Sequence, residues 1–179
     1  MAGLSATTRS AAWRHAWPLT TILAMVRLKV LAMAAASGRV AYVFFREGQL
    51  VHWGLSVEAS RSPEMASLQA EKWVSFFEPD VVVTEDIRHR SRKGDNTVDL
   101  IEALTGVARE APVNDVTVLR VQRHANKYEE AEALAAHFPD ILPWKPLRPR
   151  IWESEPRNMI YFEALALAVE VFGGDADPS

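Results

Sequence analysis

The chain has 179 residues, no cysteine and a formal net charge of −3 at neutral pH. That length suits one globular domain with a substantial core, and 49% apolar with 24% charged residues is an ordinary balance for a folded chain. The lack of cysteine excludes a disulfide framework, thiol catalysis and thiolate-bound zinc and fits a cytoplasmic setting, while the small net charge means that any nucleic-acid contact must come from local patches.

Residues 1–25 are rich in Ala, Ser, Thr and Arg and contain no acid. Their apolar part is short and broken by Pro18, so they read as a poorly ordered extension rather than a signal peptide, with Met25 an alternative start. No apolar run approaches the roughly 20 residues that span a bilayer, and no membrane partner is expected.

Val26 to Met33 reads as a strand and Arg39 to Phe45 as a second, with Ala34-Ala35-Ala36 between them suiting neither strand nor turn. Glu47-Gly48 makes a tight turn into a third strand, Gln49–Val57. Ser62-Pro63-Glu64 starts a helix that runs through MASLQAEKWVSFF and ends at Pro79. Asp80–Thr84 is a β-branched run, the pattern of a strand buried on both faces.

RHRSRKGDN is a polar loop, VDLIEALTGVARE an amphipathic helix, Val116–Gln122 a strand and KYEEAEALAAHF a helix. PWKPLRPR has a proline at every third position and cannot be regular helix. Arg157 to Phe172 is apolar on nearly every side, as a largely buried helix would be. The order β-β-β-α-β-α-β-α-α predicts one α/β domain over 26–172, with a mixed five-stranded sheet, helices on its faces and a flexible tail at 173–179.

Three stretches in this order, LAMAAASGRVAYVFF, VVVTEDI and FEALALAV, resemble the first hairpin, fourth strand and last helix of the RuvC-type Holliday-junction resolvases. The resemblance spans roughly residues 28–172 and implies an RNase H-like fold and a metal-dependent nuclease. Such enzymes hold Mg²⁺ or Mn²⁺ on clustered carboxylates, and two ions roughly 4 Å apart can clamp the attacking and leaving oxygens of a phosphodiester. Glu85 matches the acid that ends the fourth strand, with Asp86 beside it on the opposite strand face, and Glu163 matches the acid of the last helix.

The first-strand aspartate of the family, expected to contact both metals, falls on Ala34, and a further acid three residues before Glu163 falls on Ile160. The resemblance therefore implies a remnant site of Glu85, Glu163 and Asp86, with Glu85 and Glu163 as metal ligands and any Mg²⁺ or Mn²⁺ weakly held. Glu153 and Glu155 lie just upstream and are candidate substitutes. Arg88, Arg90, Arg92 and Lys93 of the polar loop, with Arg39, are the candidate contacts to a phosphate backbone.

Simpler readings stand beside these. Acids are common where a buried strand emerges into solvent, which would account for Glu85 and Asp86. Glu163 and Glu170 share one helix stripe and could form a solvated seam. The histidines show no metal-ligand spacing. Trp144 and Trp152 are expected to anchor the proline-rich segment to the body, the alternative being platforms on which bases stack.

Three functions stay open. The first is a nucleic-acid-binding protein, for branched DNA or an RNA–DNA hybrid, with a degenerate nuclease site and a homodimeric form allowed by the resemblance. The second is an active Mg²⁺- or Mn²⁺-dependent endonuclease, and the third a structural or protein-interaction module. The fold alone does not choose between them, nor whether the chain is an enzyme.

Overall fold

The computed structural model describes residues 27–88 and 93–172. The expected extension 1–25 and tail 173–179 lie outside the described residues, as do Arg90 and Arg92 of the basic loop.

The chain opens as a meander. β1 (Lys29–Ala36), β2 (Arg39–Arg46) and β3 (Gln49–Ser56) pair antiparallel in turn. Ser37-Gly38 joins the first two strands and Glu47-Gly48 the next two, with φ of 78° at Gly38 and 76° at Gly48. Glycine enters that left-handed region without a Cβ penalty, which makes it the natural hairpin residue.

The tight first turn lets β1 continue through all three alanines, past the expected end at Met33. Ala34 pairs with Ala41, Ala35 with Val40 and Ala36 with Arg39. Cross-strand hydrogen bonds and burial outweigh the weak strand preference of alanine.

Helix α1 (Pro63–Phe77) begins as expected: Pro63 occupies its first turn and Ser62 Oγ accepts from Met65 N–H at 3.2 Å. Glu78 ends it in the left-handed conformation, φ 45°, before Pro79. β4 (Val81–Glu85) then runs parallel to β1, α2 (Asp95–Glu110) crosses back, and β5 (Asn114–Val118) runs parallel to β4. The strand order is β3-β2-β1-β4-β5, the mixed five-stranded sheet read from the sequence.

β5 starts and stops earlier than the β-branched run suggested. The Asp86 N–H donates to Val118 O at 2.8 Å and closes the ladder. β4 leaves the sheet there, so residues 119–122 find no neighbouring strand among the described residues. Helix α3 (Lys127–His137), a short 3-10 helix (Pro139–Trp144), an irregular strap and helix α4 (Met159–Phe172) follow.

β1 divides two cores, because successive strand side chains point to opposite faces. Leu31, Met33 and Ala35 pack with Val82 against α1 and α2. Val30, Ala32 and Ala34 pack with Val81 and Val83 against α3 and α4. Burial on both sides is why β1 and β4 read as nearly continuous apolar runs. Helix α4 is buried on almost its whole circumference, and each large side chain there, such as Phe162 or Leu165, contributes about 2 kcal/mol by leaving water. Among the described residues no helix is long and apolar enough to cross a membrane.

Candidate nucleic-acid site at the sheet end

The parallel register Val30–Val81, Leu31–Val82, Ala32–Val83, carried on along both strands, sets Glu85 level with Ala34. Alternation places both on the face covered by α4, since Val81, Val83 and Ala32 belong to that core. Glu163 projects from the first half of α4 and is 7% exposed. The fold thus brings Glu85, Ala34 and Glu163 to one end of the sheet, although 78 positions separate Glu85 from Glu163 (163 − 85).

Lys93 fills the space between the two acids. Its Nζ donates to Glu85 Oε2 at 2.6 Å, to Ala35 O at 3.1 Å and to Glu163 Oε2 at 3.4 Å. The same Glu163 oxygen lies 3.6 Å from Arg120 Nη1, and Arg120 Nη2 donates to Glu130 Oε2 at 2.7 Å. Among the described residues three carboxylates therefore face two cations. All five side chains are one-fifth exposed or less.

Burial works against the charge on Arg120, yet Glu163, Glu130 and Glu85 together outweigh it and hold the guanidinium above its ordinary value. Its Nε is buried with no hydrogen-bond partner among the described residues. Farther along α4, Glu170 accepts from Arg123 Nη2 at 2.8 Å. Burial, chiefly, and the nearby Glu130 push its carboxyl up despite Arg123. The stripe formed by Glu163 and Glu170 thus meets cations from the segment after β5 rather than open water.

The other candidates lie elsewhere. Asp86 turns to Arg88, whose Nη2 is 2.6 Å from Asp86 Oδ2 and whose Nε reaches Oδ1 at 3.0 Å. Arg88 itself is 76% exposed on its side chain. Arg39 is mostly buried, 4.0 Å from Glu155. Glu155 also holds Lys127 at the start of α3, and Glu153 accepts from the Arg150 N–H at 2.9 Å, so both expected substitutes are engaged by other partners. Ile160 is packed into the core.

Two participants escaped the reading of the sequence. Lys93 looked like part of a basic surface loop, and Arg120 like the continuation of a strand. A signal for Arg120 was present: it follows Val116 and Val118 at strand spacing, and both pack toward the α4 face. Trp144 anchors the strap by packing edge-on against Trp53, with ring centroids 5.2 Å apart. Trp152 does not; it stands 76% exposed.

Mg²⁺ and Mn²⁺ need several oxygen ligands converging on open space. Here Glu85 and Glu163 converge on an ammonium, a guanidinium flanks them, and the position expected to bridge two ions carries the methyl of Ala34. This arrangement suits a resident amine and does not fit a pair of divalent ions. Among the described residues no group of three or more His, Asp or Glu side chains is placed to hold a metal.

No protein-family model matches the sequence, and no curated protein does. Solved structures do. The chain is similar to Thermus thermophilus RuvC, with 16% identity and a TM-score of 0.55 over 79% of this chain and 91% of that one. It is similar to the Fowlpox virus resolvase bound to its Holliday junction DNA, with 12% identity and a TM-score of 0.55 over 80% and 96%. It also matches the yeast mitochondrial Holliday junction resolvase Ydc2, with 10% identity and a TM-score of 0.50 over 94% and 87%. With the strand order and the elements that carry Ala34, Glu85 and Glu163 already in place, these likenesses make the fold of this chain a RuvC-like, RNase H-like α/β fold.

Proposed function

We propose that the protein binds branched DNA through the resolvase-like end of its sheet and that its metal-dependent nuclease chemistry is lost or nearly so. The observation that carries this reading is the position of Lys93 Nζ, 2.6 Å from Glu85 and 3.4 Å from Glu163. A divalent ion could enter only by displacing that ammonium, and Ala34 would give it no ligand once there. Two of the similar structures, from T. thermophilus and Fowlpox virus, hold Holliday junctions, which supports branched DNA as the partner. Arg88, Arg148, Arg150 and Arg157 are exposed for phosphate contacts.

The test is binding of a labelled four-way junction and of a matched linear duplex in EDTA, across a salt series. Junction binding should be the tighter. With four phosphate contacts it should fall about a hundredfold between roughly 50 and 200 mM salt. Absent or salt-insensitive binding would overturn the DNA-binding part. Junction cleavage in Mn²⁺ that disappears in Glu85→Gln would overturn the loss of catalysis.

A further inference from the structure

The strap between Trp144 and α4 carries a patch that the acid cluster does not explain. Ile151 is 101% exposed, Leu147 79% and Trp152 76%, all within six positions of the chain. Large apolar side chains held in water on one short segment mark a contact surface rather than a packing element.

The segment is also cationic. Arg148, Arg150 and Arg157 are exposed along the same segment. Of the nearby acids, Glu153 accepts from the backbone of Arg150, and Glu155 is taken up by Lys127 and Arg39. The Arg150 guanidinium lies 5.7 Å from the centre of the Trp152 ring, a cation–π contact that orders the pair and leaves a positive charge beside an aromatic face.

The strap is held at both ends. Trp144 O accepts from Asn158 Nδ2 at 2.6 Å, and the Glu153 N–H donates to Arg150 O at 2.9 Å, forming a turn at the crest. Pro143, Pro146, Pro149 and Pro156 restrict the backbone further. The base of the strap meets the acid end of the sheet, because Glu155 approaches Arg39, the strand partner of Ala36 at the end of β1.

We propose that Trp152, with Ile151 beside it, is a stacking site for nucleobases exposed at the branch point of DNA, and that Arg148, Arg150 and Arg157 hold the adjoining phosphates. This rests on the DNA-binding reading above and adds the residues that engage bases. An exposed aromatic ring among arginines is the chemistry that holds unpaired bases without sequence preference. A second copy of the chain fits the patch less well, since a stable dimer needs about 800 Å² from each partner and three side chains offer far less.

The 179-residue chain is titrated against a four-way junction carrying aminopurine at the branch point, and against a fully paired duplex. Trp152→Ala should weaken junction binding about tenfold, remove the change in aminopurine fluorescence and leave duplex binding unaltered. Trp152→Phe should retain most of the affinity. The side chain is exposed, so neither variant should shift the melting temperature.

Unchanged junction affinity and fluorescence in Trp152→Ala would overturn the stacking site while leaving DNA binding intact. No binding of either DNA by the unmodified chain would overturn both proposals. Self-association that Trp152→Ala abolishes, with junction binding untouched, would make the patch an interface between copies instead.

Discussion

Lys93 Nζ lies 2.6 Å from Glu85 Oε2, so the strand that ends in an acid is answered by a cation from the loop that leaves it. The two side chains are 19% and 12% exposed, and Glu163 shares the same ammonium. Lys93→Met would leave two buried carboxylates facing each other without their shared partner. We expect a loss of about 3–5 kcal/mol, or a melting temperature lower by roughly 10 °C. Millimolar Mn²⁺ should recover part of that loss in the variant and leave the unmodified protein unmoved. An equal Mn²⁺ shift in both proteins would mean that Lys93 does not stand in the way of a metal.

Ala34 is 1% exposed and faces the same end of the sheet as Glu85. Ala34→Asp alone should destabilise the protein by a few kcal/mol, because it buries a further negative charge beside an already paired cluster. Combined with Lys93→Ala it should instead create three converging carboxylates, with thermal stability that rises with added Mn²⁺. Calorimetric titration of the double variant with Mn²⁺ checks this directly. Absence of heat would mean that the framework of the site has decayed beyond these two positions.

Arg120 joins Glu130 at 2.7 Å to Glu163 at 3.6 Å, and so ties α3 to α4 beneath the edge strand. Arg120→Met should cost about 3–5 kcal/mol, measured by urea unfolding, since both acids lose a buried partner. Lysine at this position offers a single ammonium instead of a planar fork, so Arg120→Lys should recover only part of the loss. Arg120 and Lys93 meet at one oxygen of Glu163, so the two losses should not add. A double-mutant cycle closing to zero would deny the coupling.

Glu170 gives a prediction about pH. Burial first, then Glu130, raises its carboxyl above the ordinary 4.5, while Arg123 pulls the other way without prevailing. The folded state therefore holds this proton more tightly than the unfolded state. That contribution is fully present below the unfolded value and is lost as pH rises through the raised folded value. Glu170→Gln removes it, so stability of the variant relative to the parent should increase with pH above about 4.5 and then level off. Urea unfolding of both proteins between pH 4 and 8 reads the difference. A relative stability that is flat, or falls with pH, would contradict the direction.

Much of the fold is legible in the sequence. Periodicity and end signals located Pro63–Phe77 and Lys127–His137 closely, because an apolar repeat, a Ser-Pro start and a terminating proline are local chemistry. The extent of β1 and β5 could not be read in the same way. β1 runs to Ala36 because β2 pairs with it, and β5 stops at Val118 because β4 has turned away. Strand ends depend on the neighbour, and the neighbour lies far off in the chain.

The candidate site divides along the same line. The order of its elements, the acid at Glu85 and the alanine at Ala34 are written in consecutive residues and are legible there. What neutralises the acids is not. Lys93 is 8 positions from Glu85 but 70 from Glu163, and Arg120 reaches Glu163 from a third element. Hydrophobic alternation is a local pattern that the backbone period imposes on every stretch of chain. Partners in a buried charge cluster are chosen only when separate elements fold against one another, and that step turned a basic loop residue into the resident cation of this site.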